Sequence, residues 1–317
     1  MKALYFNKFG TSDVLKFGEV PTPSLKRNEV LVRTDYIGLN FADIYRRRGT
    51  YHIEKNNPYI DGYEAAGTIA AVGADVSNKN IGKKVLFVDG PLANAEFVAL
   101  PREKQIDLPV DVSTKTAATI GLQGLTADFL AHDLAQNSPG DQVFITGVSG
   151  GVGRLLAQIL IADGVRVFGS ASSIPKQQAA LALGVEGVVS MRDPDWKQGF
   201  TGRFDTVFDG VGKTLNDSIE LLHPRGKVVF FGMAGGNPPT VDLADLLAHS
   251  KSILTGDLWD YLTSFSERKK RSARLFSYLA KGTIKVREPT VFPLAEGKAA
   301  HDYLESGKNI GKVLLKS

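Results

Sequence analysis

The chain has 317 residues, 43% of them hydrophobic, with 38 basic and 34 acidic side chains and a formal net charge of +4. That length suggests two domains, each large enough to bury its own core, and the weak positive balance suits an anionic ligand without calling for nucleic acid. The absence of cysteine excludes disulfides, thiolate-held zinc and iron–sulfur clusters. No stretch approaches ~18 uninterrupted apolar residues, so no membrane span is expected. The opening MKALYFNKFG lacks the apolar run and cleavage site of a signal peptide, and a cytoplasmic protein is the expectation.

The first ~120 residues read as β-rich, with Val30–Thr34, Gly67–Val72 and Lys84–Val88 as short strands bounded by Gly, Asn, Asp and Pro. Val20-Pro21-Thr22-Pro23 is extended, because each proline disfavours helix in the residue before it. The pattern then changes. Asp141–Thr146 is an apolar run before a glycine cluster, and Val152, Leu155, Leu156, Ile159 and Leu160 mark one helical face after it. Val165–Phe168, Thr206–Phe208 and Lys227–Phe231 read as strands; Lys176–Leu183, Leu215–Leu222 and Leu243–His249 read as helices. Alternating β and α units with near-continuous apolar strands predict a parallel sheet covered on both faces. The C-terminal part holds a long helix from Leu262 to Leu279, a strand pair from about Thr283 and a last strand Val313–Leu315. The basic runs Arg268–Arg271 and Arg46–Arg48 read as solvated faces. Cations for nucleic acid, or for the phosphates of an acyl carrier, are the sharper alternatives.

Thr146-Gly147-Val148-Ser149-Gly150-Gly151-Val152-Gly153 lies between a strand and an amphipathic helix. A pyrophosphate needs close backbone approach, a tight turn and unpaired N–H groups at a helix start. Glycines supply the first two and the helix N-terminus the third. The spacing departs by a residue from the simplest dinucleotide fingerprint, but the strand–loop–helix setting is the required one. The next strand ends Phe168-Gly169-Ser170-Ala171-Ser172-Ser173, without the acid that grips the ribose of NAD. Lys176 follows, and Arg192 comes near the end of the third strand. Hydroxyls and cations suit the 2′-phosphate of NADPH.

Taken in order, several segments resemble the zinc-independent quinone oxidoreductases of the medium-chain dehydrogenase/reductase superfamily. They are Lys8–Leu15, Gly38-Leu39-Asn40-Phe41-Ala42-Asp43-Ile44-Tyr45, Gly49-Thr50-Tyr51, Gly62-Tyr63-Glu64-Ala65-Ala66-Gly67, Gly124-Leu125-Thr126-Ala127, the glycine loop and Gly311-Lys312-Val313-Leu314. The resemblance implies an α/β protein with a GroES-like β-rich catalytic domain and an inserted Rossmann domain, a doubly wound parallel sheet. The expected segments are 1–121 (catalytic), 122–261 (NADP-binding) and 262–317 (return to the catalytic domain). The cofactor is expected in the cleft, in a homodimer. Zinc-dependent relatives have a cysteine where this chain has Asn40 and a histidine where it has Tyr63, so no metal is expected.

The same resemblance places Asn40, Asp43 and Tyr45 near the nicotinamide and its ribose, and Thr126 at the carboxamide. Gly150, Gly151 and Val152 meet the pyrophosphate; Ser172, Ser173 and Lys176, with Arg192, meet the 2′-phosphate. Phe231, Gly232 and Met233 border the ribose–nicotinamide half, and Gly311 and Lys312 close the cleft from the tail. Tyr45 and Tyr51, beside Asn40, are the expected catalytic groups. A donor is needed where charge develops on the acceptor oxygen, although solvent can also deliver the proton. An exposed loop aromatic remains the alternative for Tyr51, and a turn residue for Asn40. Met191 stands where many relatives have a tyrosine at the adenosine phosphate, and Gln123 where some have lysine. The expected reaction is hydride transfer from NADPH to a small electrophile, a quinone. The alternatives are an enal, enone or enoyl-thioester substrate and, in a different class, a cofactor-sensing or nucleic-acid-binding relative with vestigial catalysis.

Overall fold

In the computed structural model, which describes residues 1–317, β-branched and aromatic runs become strands where glycine, proline or asparagine closes them. The chain begins with β1 (Lys2–Phe6), β2 (Lys16–Glu19), β3 (Glu29–Leu39), α1 (Phe41–Arg47), β4 (Tyr59–Ile60), β5 (Ala65–Val72), β6 (Lys84–Phe87), β7 (Phe97–Pro101), β8 (Ile106–Asp107) and α2 (Thr114–Phe129). It continues with β9 (Gln142–Ile145), α3 (Gly151–Ala162), β10 (Arg166–Ser170), α4 (Ile174–Leu181), β11 (Gly187–Val189), β12 (Phe204–Asp209), α5 (Leu215–Glu220), β13 (Leu222–Phe230), α6 (Leu243–Ala248) and β14 (Ser252–Thr255). It ends with α7 (Phe265–Ala280), β15 (Thr290–Pro293), α8 (Gly297–Glu305) and β16 (Val313–Lys316). No helix is long and apolar enough to cross a membrane.

Two compact units result. The first comprises Met1–Leu122, Leu262–Phe276 and Val286–Ser317; the second comprises Gln123–Tyr261 and Ser277–Lys285. Ser277–Lys285 packs with the second unit because the Tyr278 hydroxyl donates to the buried Asp128 carboxylate (3.0 Å) and the Lys285 N–H to the Gln158 side chain (2.8 Å).

In the first unit, the main sheet runs β15-β16-β3-β5-β6-β8 with β7 added on β3, and a smaller sheet runs β2-β1-β4. The long β3 carries the alternation Val30, Val32 and then Ile37, Leu39 into the core, where Phe6, Ile69 and Phe87 meet them. In the second unit, six parallel strands run β11-β10-β9-β12-β13-β14. The chain winds outward from β9 to β11, then returns to the other side of β9 and winds outward to β14. The central strands β9 and β12 are largely buried on both faces, and the core gathers Phe144, Phe168, Phe204, Val207 and Val228, which explains their continuous apolar runs. Between β9 and β12 the winding direction changes, and such sheets bind ligands beyond the carboxyl ends of the strands at that point.

Some expectations give way to tertiary structure. α4 starts at Ile174, ahead of Lys176, because Ser173 takes the cap position and Pro175 sits in the first turn. α5 ends at Glu220, and Leu222 already opens β13. The strand pair expected from Thr283 is absent. The alternating stretch 283–289 finds no ladder partner, and β15 starts only at Thr290, where it pairs in parallel with β16.

The basic runs are not simply solvated. Arg268 and Arg271 are buried; Arg268 pairs with Asp89 (3.1 Å) and donates to the Glu103 and Leu262 carbonyls. Arg46 and Arg47 are buried as well, and only Arg48 of that triplet is exposed. Both sharper alternatives fail for these buried guanidiniums, because their charge is spent inside the unit.

Candidate active site

The glycine loop of the second unit is fixed from both sides. β10 ends on buried Ser170, whose hydroxyl accepts the Gly147 N–H (3.2 Å) and whose carbonyl accepts the Val148 N–H (3.0 Å). Gly147 adopts φ +65°, a conformation that other residues rarely take, and its carbonyl accepts the Gly150 N–H (2.8 Å). A β-carbon on Gly153 would come within 2.6 Å of that same carbonyl. α3 therefore starts against the loop backbone, with Gly150 as its cap and the N–H groups of Gly151 and Val152 in its first turn. This is a cradle made of backbone with a helix dipole behind it.

Beside it, Asp209 at the end of β12 is fully buried. It accepts from the Val211 and Gly212 N–H groups and from the hydroxyls of Thr214 and Ser218. The Phe231 N–H donates to the Asp209 carbonyl (2.9 Å), which brings Phe231, Gly232 and Met233 alongside; all three are half-buried. Thr126 is also half-buried, within α2.

At the end of β10, Ser172 and Ser173 are exposed, and Lys176 sits half-buried in the first turn of α4. Burial pushes the Lys176 ammonium below its ordinary pKa, and the positive charge of nearby Arg192 pushes it further the same way. Two cations thus converge at a helix start, against the dipole. Met191, next to Arg192, packs on the apolar core of the unit.

The candidate site of the first unit is built from buried charge. Glu64, fully buried at the head of β5, accepts the Leu122 N–H (2.6 Å), the Asn40 amide (3.0 Å) and the Lys312 ammonium (2.5 Å). Gly38 and Gly121 make room for this carboxylate: a β-carbon on Gly38 would overlap it, and one on Gly121 would reach it at 2.8 Å. Lys312 also donates to the Asn40 side-chain oxygen (2.8 Å), and the Asn40 amide donates to the Gly38 carbonyl (3.2 Å). Asn40 and Lys312 are therefore engaged with Glu64 rather than offered as an isolated donor and cation. Gly311, buried at φ +79°, turns the chain into Lys312.

Asn40 caps α1, and Asp43 reaches back to its N–H (2.8 Å). Asp43 also pairs with Arg46 (3.1 Å). Burial raises the Asp43 carboxyl above its usual range, against the pull of Arg46. Asp61, equally buried, is raised well above its usual value by burial and by the charge of Asp43. The Arg46 guanidinium lies over the rings of Tyr63 (4.0 Å) and Tyr51 (5.2 Å). Tyr45 and Tyr51 meet edge to face at 6.4 Å, both half-buried. Of the zinc-ligand positions of relatives, Asn40 thus belongs to the Glu64 network, and the Tyr63 hydroxyl accepts the Glu54 N–H (3.1 Å). No group of three or more His, Asp or Glu stands close enough to hold a metal ion.

Within the first unit, then, Asn40, Asp43 and Lys312 share one polar network, and Tyr45 and Tyr51 share a ring contact. In the second unit, the glycine loop lies beside the Phe231–Met233 turn, and Lys176 lies near Arg192. Sequence reasoning missed the buried carboxylates Glu64 and Asp209, and it read Arg46 as a solvated cation. The available signal for Glu64 was one acid at the head of an otherwise apolar strand.

Family models match residues 26–136 as an alcohol dehydrogenase GroES-like domain and residues 183–315 as a zinc-binding dehydrogenase. A probable quinone oxidoreductase of Schizosaccharomyces pombe is 33% identical over 98% of this chain and 95% of its own. A 2-haloacrylate reductase of a Burkholderia species is 31% identical over 99% of this chain and 98% of its own. The crystal structure of Escherichia coli quinone oxidoreductase complexed with NADPH superposes with a TM-score of 0.94 at 31% identity, covering all of both chains.

Proposed function

The chain belongs to the quinone oxidoreductase family of the medium-chain dehydrogenases, and from that premise we propose that it is an NADPH-dependent reductase of quinones. The observation that carries the reading is the cradle of the second unit: a glycine loop packed on its own backbone at Gly150 and Gly153, followed by two converging cations and no acid. These residues fit NADPH. Gly151 and Val152 would hold its pyrophosphate by backbone N–H groups, with Gly150 bringing the cap backbone close to it; Ser172, Ser173, Lys176 and Arg192 would hold the 2′-phosphate. Phe231, Gly232, Met233 and Thr126 would border the ribose and nicotinamide. When bound, NADPH supplies a hydride; the protein supplies position and electrostatics.

Tyr45 and Tyr51, whose rings meet, would donate toward an acceptor oxygen as charge develops on it. Asn40, Asp43 and Lys312 act as positioning groups, because their polar atoms hold one another and Glu64. The test is NADPH oxidation with an ortho-quinone, a para-quinone and a simple enone, each repeated with NADH. Turnover of a quinone with NADPH and little with NADH is expected. Failure of the protein to bind NADPH would overturn the proposal. A second reading, reduction of an electron-poor alkene, draws on the Burkholderia relative, and turnover of the enone alone would select it.

A homodimer belongs to the same proposal. β14 is one edge of the parallel sheet, and just before it α6 leaves Leu243 and Leu247 75% and 82% exposed. A second copy covering that face would bury both and pair the edge. Light scattering would read a dimer, and L243E/L247E a monomer. A cytoplasmic location goes with the use of NADPH.

A further inference from the structure

The segment between α1 and β4 carries no regular element, yet its middle is fixed by three contacts. Arg46 donates from Nε to the His52 carbonyl (3.0 Å), the Tyr63 hydroxyl accepts the Glu54 N–H (3.1 Å), and Ile53 packs on the core of the first unit. Ile53 faces inward, while His52 and Glu54 on either side of it are exposed. The His52 ring lies 4.4 Å from the Tyr51 ring and 6.1 Å from that of Tyr63. It extends the aromatic row that Phe41, Tyr45 and Tyr51 begin.

Arg46 is buried, and taking a guanidinium out of water costs several kcal/mol unless it is paired. Asp43 supplies the pair. A buried ion pair thus holds the backbone of an exposed histidine and the ring beside it. Histidine is the side chain whose ordinary pKa lets it give a proton near neutral pH; the two tyrosine phenols ordinarily hold theirs until about pH 10.

We infer that His52 is the acid of the reaction, donating the proton of its imidazolium to the oxyanion of the reduced acceptor. The inference rests on the proposed quinone reductase reading. The quinone takes two electrons and a hydrogen as hydride from NADPH, leaving NADP⁺ and a hydroquinone monoanion. The N–H bond of His52 breaks, an O–H bond forms on the monoanion, and solvent returns a proton to the imidazole. Titratable and charged groups that meet His52 include Tyr51, Tyr63 and Arg46.

The test compares H52Q and H52A with the full wild-type chain, using para-benzoquinone and NADPH. H52Q should lower kcat about 100-fold or more, abolish the alkaline fall in kcat and leave the Kd for NADPH unchanged. Added imidazole should restore part of the activity of H52A, which a purely structural role would not allow. Without turnover, 4-nitrophenol bound in the presence of NADP⁺ reads the same contact. Its phenolate mimics the hydroquinone oxyanion, and it should bind wild type about tenfold more tightly than H52Q, which corresponds to about 1.4 kcal/mol. Equal kcat and pH profiles in H52Q and wild type would overturn the inference. So would a loss in both variants with no imidazole rescue and unchanged 4-nitrophenol binding. If wild type binds NADPH but reduces no quinone, the functional reading fails instead, and 4-nitrophenol binding still decides the role of His52.

Discussion

The candidate sites of the two units are made of opposite materials. In the second unit, the cradle is backbone: glycines, a helix start and a strand end that hold one another by main-chain hydrogen bonds. In the first, the network is side chains: Glu64, Lys312, Asn40, Asp43 and Arg46, all buried. A backbone site is indifferent to side-chain identity except where a side chain would obstruct it. A site of buried charge depends on every member, because removing one strands another.

The largest expected effect breaks the charge network. Glu64→Ala leaves the Lys312 ammonium buried without its carboxylate and should cost about 3–5 kcal/mol, read from denaturant unfolding. Adding Lys312→Met should recover much of that loss. A double variant no better than the single would mean that the pair does not behave as a buried ion pair.

The second prediction separates two glycines of one loop. A β-carbon on Gly153 meets the Gly147 carbonyl, whereas one on Gly151 meets the movable Gln123 side chain. Gly153→Ala should therefore cost about 1–3 kcal/mol and weaken NADPH binding in calorimetry, with Gly151→Ala affected less. The reverse order would show that the cradle is not backbone-limited.

The third concerns the cations. Lys176→Ala and Arg192→Ala should each raise the Kd for NADPH by about tenfold, in line with ~1–3 kcal/mol for a charge-assisted hydrogen bond, and leave that for NADH within about twofold. An equal loss with both cofactors would move these residues away from the 2′-phosphate.

The smallest effect at neutral pH comes from His301. Buried beside Arg47, which donates to its Nδ1 (3.0 Å), its pKa is lowered to about 3, chiefly by burial and then by the Arg47 charge. The unfolded chain takes up that proton near pH 6.5 and the folded chain does not. Stability should therefore be fully present above pH 6.5 and fall by up to about 1.4 kcal/mol per unit between pH 6.5 and 3. Urea midpoints from pH 7 to 4 should fall more steeply for wild type than for His301→Gln; parallel slopes would remove His301 from the account.

These contrasts explain what could be read in advance. The glycine loop, the parallel strands and the absence of an acid after β10 were legible, because glycine placement and apolar periodicity act locally. Arg46–Arg48 and Arg268–Arg271 looked like solvent faces, because charge in a sequence says nothing of burial until a partner arrives from far along the chain. Asp89 reaches Arg268 across 179 positions of numbering, and Glu64 reaches Lys312 across 248. The stretch 283–289 alternated like a strand but found no partner, since a ladder is a property of two segments.

Residue order alone was enough for the alternation of β and α units and for the backbone cradle at the start of α3, because short-range sterics and hydrogen bonding decide them. Which charges are buried, which carboxylate each one meets and which loop residue is held rigid were decided by tertiary structure. A buried charge persists only where distant segments converge to pair it, and no local pattern records that meeting.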